Sequence, residues 1–211
     1  MELDPFKSSE ISSEQVWAVE EGEMRPISFY HILVLIVLIV VGFVIGAYGS
    51  INFPLGFGVN FFWLGIVVQQ VGAVWFGAWG VIAGSIFPVF SNAVVQTPFY
   101  VSLAYLPANA VQAWLPAWAF RKFKLDPRLR EPRDYLILFV TMVVSSAFGA
   151  LWSTLVVLRS YGLLNTESVP QFIWGWFMGN IIAGLVLNFL VLKVFSSLVI
   201  QTKLFVKGWF A

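Results

Sequence analysis

VNFFWLGIVVQQVGAVWFGAWGVIAGSIFPVFSNAV, residues Val59–Val94, runs for about 36 positions without a charged side chain. A helix that crosses a bilayer needs about 20 mostly apolar residues. The stretch is therefore too long for one crossing and long enough for two short ones. Gly77-Ala-Trp-Gly80 lies near its middle, and two glycines beside an aromatic suited to the water–lipid boundary predict a turn there. Helices are expected over Val59–Phe76 and Val81–Val94, the second kinked or shortened by Pro88. A pair of this kind has no face for water, which points to an all-α, polytopic integral membrane protein.

The rest of the chain repeats the theme. Of its 211 residues, 59% are hydrophobic and 11% charged, against roughly 45–50% and roughly 25% in a soluble domain. Further helices are expected at Ile32–Tyr48, Tyr100–Phe120, Tyr135–Leu158 and Gln171–Leu192, with apolar sequence continuing to Ile200. The Gly/Pro-rich segment Ile51–Gly58 reads as a loop. Pro107 and Pro116 fall inside the fourth helix and are tolerated where neighbouring helices satisfy the freed carbonyls. The sum is about six transmembrane helices in one bundle over residues 29–200, between tails at 1–28 and 201–211.

Charge gives the orientation. Arg121, Lys122, Lys124, Arg128, Arg130 and Arg133 crowd one short loop, and such a loop stays in the cytoplasm. Lys193, Lys203 and Lys207 near the C-terminus then fall on the same side, and counting back places the N-terminus there too. The expected location is the cell membrane, multi-pass, with both termini inside. The outer segments Gly49–Gly58, Ser91–Phe99 and Arg159–Pro170 carry only Arg159 and Glu167 as charges. The N-terminal tail is acidic (Glu2, Asp4, Glu10, Glu14, Glu20, Glu21, Glu23), unlike a secretory signal. Within it, Ser12 or Ser13 with Glu14 and Gln15 resembles a helix start.

Catalytic constellations are missing. No carboxylate lies inside a predicted span, and His31 is the only histidine and reads as a helix-end residue. The chain has no cysteine, which excludes thiolate metal sites and disulfides. No metal, cofactor or nucleic-acid partner is expected, and the chain reads as a non-enzyme. Amides and aromatics do coincide on helical faces. Tyr105, Asn109 and Gln112 share one face; Asn60 and Trp63 lie near an outer helix end with Gln70 deeper; Trp176, Asn180, Gly184 and Asn188 form a stripe beside Trp174; Ser145, Gly149 and Trp152 lead outward to Arg159. Polar groups in hydrocarbon must find partners, so these faces turn inward, either bonding one another or lining a ligand pocket. The pocket reading takes Asn60, Trp63, Tyr105, Asn109, Gln112, Trp152, Trp174 and Asn180 as its walls, with Arg159 placed to pair with an anionic group. The expected ligand is a small, mostly neutral, ring-containing solute taken from outside. Small residues four apart recur at Gly42/Gly46, Gly80/Gly84 and Gly175/Gly179, and serve either packing within the bundle or docking of a partner.

The layout of six spans, both ends cytoplasmic, a Gly/Pro-rich first outer loop and a short uncharged helix pair resembles the substrate-binding S components of energy-coupling factor vitamin transporters. The stretch Val71-Gly-Ala-Val-Trp-Phe-Gly-Ala-Trp-Gly-Val-Ile-Ala-Gly-Ser is similar to that family's turn between its second and third helices. The resemblance implies capture of a vitamin-like solute for uptake, with a membrane coupling subunit and ATPases as partners. It also implies docking through small residues of the first helix, here Gly42 and Gly46, where the family more often has alanines. Asn109-Ala-Val-Gln-Ala-Trp-Leu and Trp174-Gly-Trp-Phe-Met-Gly-Asn-Ile-Ile-Ala-Gly look like the membrane-integral sensory domain of bacterial signalling proteins. That likeness implies a sensory module acting with a separate partner.

Overall fold

The computed structural model describes residues 11–19, 27–49, 54–56, 59–60 and 62–211. Helix makes up 76% of the structure, which places it in the all-α class. A short helix, α1 (Ser13–Trp17), precedes α2 (Phe29–Tyr48). Two short antiparallel strands follow, β1 (Pro54–Gly56) and β2 (Val59–Asn60). Then come α3 (Gly65–Phe76), α4 (Ala78–Val94), α5 (Phe99–Ala104), α6 (Leu106–Lys122), α7 (Pro132–Leu151) and α8 (Val169–Val199). α7 continues as a π-helical segment, Trp152–Arg159, and α8 is preceded by a 3-10 turn at Thr166–Ser168.

Three helical segments are long and apolar enough to cross a membrane: Phe29–Tyr48, Pro132–Arg159 and Thr166–Val199. α3 and α4 are apolar but shorter. α2 shows what covers such helices. Ile36, Val40 and Val44, at helical spacing, are 52%, 55% and 47% exposed. In water that stripe would be an aggregation surface; against lipid it costs nothing. These features make the chain a membrane-associated protein.

The helix limits differ from the sequence expectation in three places. Val59–Asn60 is strand, and the second helix starts at Gly65. The turn after it is one residue, Gly77, rather than Gly77–Gly80: its φ of +57° suits a residue without Cβ, and α4 begins at once. Gly80 instead lies inside α4 where a Cβ would sit 2.2 Å from the Gly72 carbonyl, so the two short helices meet backbone to backbone. The expected fourth helix, Tyr100–Phe120, is broken at Tyr105, because Pro107 has no N–H with which to continue the ladder of α5. The indole of Trp152 donates to the Ala104 carbonyl at this break (3.0 Å).

Contacts at the helix ends sort the six longer helices into alternating directions. At one end, Ala78 N–H donates to the Trp209 carbonyl (2.7 Å) and Val206 N–H to the Trp75 carbonyl (3.0 Å). Arg121 Nη2 donates to the Val206 carbonyl (2.8 Å), and Ser196 Oγ to the Pro127 carbonyl (2.8 Å). His31 stacks on Trp79 there, and Ser28 N–H donates to its Nδ1, so His31 caps the start of α2. At the other end, Trp63 Nε1 donates to the Gly46 carbonyl (3.2 Å), Trp63 N–H meets the Gly179 carbonyl (3.4 Å), and Tyr100 packs on Tyr161.

The two tails are built into the first of these ends. Ser12 Oγ accepts from Gln15 N–H and Gln15 Oε1 accepts from Ser12 N–H, the helix start the sequence suggested. The helix it begins drives Trp17 beneath the basic loop, where the indole donates to the Leu125 carbonyl (2.6 Å) and packs on Phe205. The rest of the acidic tail, including Glu2, Asp4, Glu10, Glu20, Glu21 and Glu23, lies outside the described residues. The middle of the basic loop, Leu125–Leu129, is buried, while Lys122, Lys124, Arg130 and Arg133 are exposed. Arg128 makes a bidentate pair with Asp126 (2.7 and 2.8 Å) and reaches the Ile11 carbonyl (2.7 Å).

Candidate functional site

At the end opposite the basic loop, the C-terminal half of α4, the N-terminal halves of α6 and α8, and the β2–α3 segment diverge around a cleft. Its floor and walls are Asn109 of α6, Trp176 and Asn180 of α8, and Pro88 and Asn92 of α4. Val59, Asn60 and Trp63 close the remaining side. Proline in α4 and the break before α6 both fall where these helices would otherwise close up. Trp63 is the keystone of the rim: it stacks on Phe87 (5.9 Å between ring centres) and ties α2 and α8 through its two N–H groups. The cleft is narrow, with about 20 Å³ open to the centre of a water-sized sphere. That is room for roughly one water molecule.

The buried amides of the bundle fall into two sets. The deeper set is bonded to itself through its N–H groups, with Asn188 Oδ1 left unpaired. Asn188 Nδ2 donates to Gln70 Oε1 (2.6 Å), and Gln70 Nε2 reaches Ser145 Oγ (3.4 Å), tying α3, α7 and α8 together. This is the interhelical role open to polar residues in hydrocarbon. The set around the cleft is not bonded in this way. Asn109 Nδ2, Asn180 Nδ2 and Trp176 Nε1 are buried donors without a partner, and Gln112 leaves both its Nε2 donor and its Oε1 acceptor unpaired. Asn109 is 2% exposed and Asn180 3%. A buried donor left unpaired costs about 1–3 kcal/mol. Such groups are ordinarily paired.

Four of the residues expected from sequence line the cleft: Asn60, Trp63, Asn109 and Asn180. Gln112 and Tyr105 stand just behind it. Tyr105 meets Trp176 edge-on (5.2 Å), and a Cβ on Gly149 would strike both Gln112 Nε2 and Trp176 Nε1, so that glycine makes room for the pair. Trp152 belongs to the helix break, bonded to Ala104 and stacked on Phe148. Trp174 is 58% exposed on the outside of α8 and faces away from the cleft; its neighbour Trp176 supplies the inward ring. Arg159 is also elsewhere, donating to the Leu164 carbonyl (3.4 Å) within the loop before α8. Gly42 and Gly46 lie at the α2–α4 contact, where a Cβ on Gly42 would come within 2.5 Å of the Phe87 ring and one on Gly46 within 3.1 Å of Ser91 Oγ. Both glycines are buried in the packing of α2 on α4.

Val59, Pro88, Asn92 and Trp176 also line the cleft and are not among the walls expected from sequence. Asn92 lies in the last turn of α4, where the helix carries it to the cleft. Among the described residues, no three histidine, cysteine or carboxylate side chains gather as a metal site. The chain matches no protein-family model, no curated protein and no solved structure.

Proposed function

We propose that this protein is a multi-pass component of the cell membrane that captures a small solute in the cleft and hands it on for uptake. In this reading α2, α3, α4, α6, α7 and α8 each cross the bilayer. The basic loop and both tails face the cytoplasm, and the cleft opens outward. The alternation of helix ends and the gathering of Arg/Lys residues at one of them support that orientation. One observation carries the solute-binding reading. Three residues that line the cleft, Asn109 of α6 and Trp176 and Asn180 of α8, keep buried N–H donors without a partner, while the side-chain N–H donors of Gln70 and Asn188 one layer deeper are paired. Packing alone gives no reason for that difference, and a bound polar molecule does. Because the cleft is narrow, solute entry requires the rim at Trp63 to yield.

Uptake needs an energy source, and the chain carries no phosphate-binding glycine loop ending in Lys-Ser/Thr. A separate membrane coupling subunit and ATPases would supply it. The test is purification from native membranes followed by mass spectrometry of the extracted small molecules. A single species should copurify with the wild-type chain and be lost from Asn180→Leu. A chain that carries no such species, in cells whose solute uptake is unchanged by its deletion, defeats the proposal.

A further inference from the structure

We infer that the cleft takes an uncharged ring compound presenting oxygen acceptors of the carbonyl type, and discriminates against carboxylates and cations. The inference rests on the solute-binding reading and specifies its chemistry. Its first ground is the sign of the unpaired groups. An indole N–H is a donor only, so Trp176 Nε1, which lies beside Gln112 Nε2 against Gly149 at the back of the cleft, asks for an acceptor. The amide of Asn109 is oriented by a chain of bonds ending on the backbone. The Gly84 carbonyl can only accept, so Gln69 presents Nε2 to it (2.7 Å). The same Nε2 then faces Asn109 Oδ1 (3.3 Å), and Nδ2 is left as the unpaired end. Asn180 Nδ2 adds a third donor.

The second ground is charge. Among the described residues, no Lys, Arg, His, Asp or Glu lines the cleft. Arg159 is engaged with Leu164 in its own loop, and Arg121 is buried at the opposite end of the bundle among the carbonyls of Ala117, Val206 and Gly208. A carboxylate drawn into this low-dielectric site would lose its hydration and meet no counter-charge. A cation would likewise lose its hydration and meet no carboxylate among the described lining residues, and the unpaired Nδ2 groups of Asn109 and Asn180 cannot coordinate it. A neutral carbonyl satisfies the donors without either penalty. The third ground is the lining: the rings of Trp63 and Trp176 and the apolar sides of Val59 and Pro88 would flank a flat ring once the rim at Trp63 yields.

The experiment uses the full chain in lipid nanodiscs and three probes of similar size: N-methyl-2-pyridone, neutral and acceptor-only; benzoate; and benzylamine. Thermal unfolding is followed with each. The pyridone should raise the midpoint, and benzoate and benzylamine should not. Trp176→Phe keeps the ring and deletes one donor. It should weaken pyridone binding about tenfold without lowering the midpoint of the ligand-free protein, since that N–H has no partner to lose. Asn109→Leu provides a second variant should the first fold poorly. If benzoate or benzylamine binds as well as the pyridone and is lost in these variants, the ligand class is wrong and the solute cleft stands. If pyridone binding survives both variants, the donors are not its site and the inference fails. If none of the three binds at millimolar concentration, the donors are met by water alone and both readings fall.

Discussion

Gln69 and Asn109, on α3 and α6, share one hydrogen bond (3.3 Å), and through it a backbone carbonyl of α4 sets which end of the Asn109 amide faces the cleft. Three helices thus cooperate to aim one side chain. Gln69→Leu removes the aiming without touching the cleft wall. It leaves the Gly84 carbonyl and Asn109 Oδ1 without their donor, so the ligand-free protein should lose about 1–3 kcal/mol. Solute affinity should fall as well, since the Asn109 amide is then free to rotate. Calorimetric titration together with thermal unfolding reads both effects, and an unchanged affinity would show that the amide is held in place by something other than Gln69.

The α2–α4 contact depends on the space above Gly42. Phe87 is fully buried and stacked on Trp63, so it has little room to give way. Gly42→Val should cost about 1–3 kcal/mol through overpacking. Adding Phe87→Leu should recover part of that loss, a coupling that unfolding of the two single variants and the double variant would measure. A docking role for Gly42 predicts instead a stable variant that has lost only its partner.

Asp126 and Arg128 are 1% and 3% exposed and bonded at two points. Asp126→Asn removes a buried counter-charge of Arg128, and breaking a buried pair typically costs about 3–5 kcal/mol. Arg128 also holds the Ile11 carbonyl, so the N-terminal segment should loosen at the same time. Limited proteolysis should then cut near α1 in the variant and spare it in the wild type.

The Gln70–Asn188 bond should be worth less than its burial suggests. Polar pairs between membrane helices average about 0.6 kcal/mol in double-mutant cycles. A cycle of Gln70→Leu and Asn188→Leu should return a coupling of that order, and a coupling of several kcal/mol would assign the pair a larger share in holding α3 to α8.

Orientation can be tested directly because the natural chain has no cysteine. Ser160→Cys, in the loop beyond α7, should react with a membrane-impermeant maleimide on intact cells. Lys124→Cys, in the basic loop, should react only after the membrane is opened. The reverse pattern would invert the topology.

Much of the fold was legible in the sequence because membrane helices advertise themselves by length and apolarity. The positions of α2, α7 and α8 follow from that alone, and the capping pair Ser12 and Gln15 was readable as a helix start. The errors lie where local chemistry leaves two choices. Gly77 and Gly80 looked like two sides of one turn, but only Gly77 adopts a positive φ; Gly80 is needed for close approach to Gly72. Pro107 was readable as a stress on a helix, and whether it would kink or break the helix depended on the neighbours available to catch the freed backbone. The π-helical continuation after Trp152 left no mark in the spacing of apolar residues.

The candidate site was legible in kind and less so in detail. Asn109 and Asn180 could be placed on inward faces by periodicity. Trp174 and Trp176 are two positions apart, about 200° around a helix, and only packing against Tyr105 decides that Trp176 is the inward one. The sequence by itself determined a helical, membrane-associated chain with its cations at one end, since hydropathy and charge are properties of residues taken in order. Which amides are paired and which are left facing a cleft was decided by tertiary structure alone, because a hydrogen bond between α3 and α6 or α8 joins residues that are distant along the chain and has no local signature.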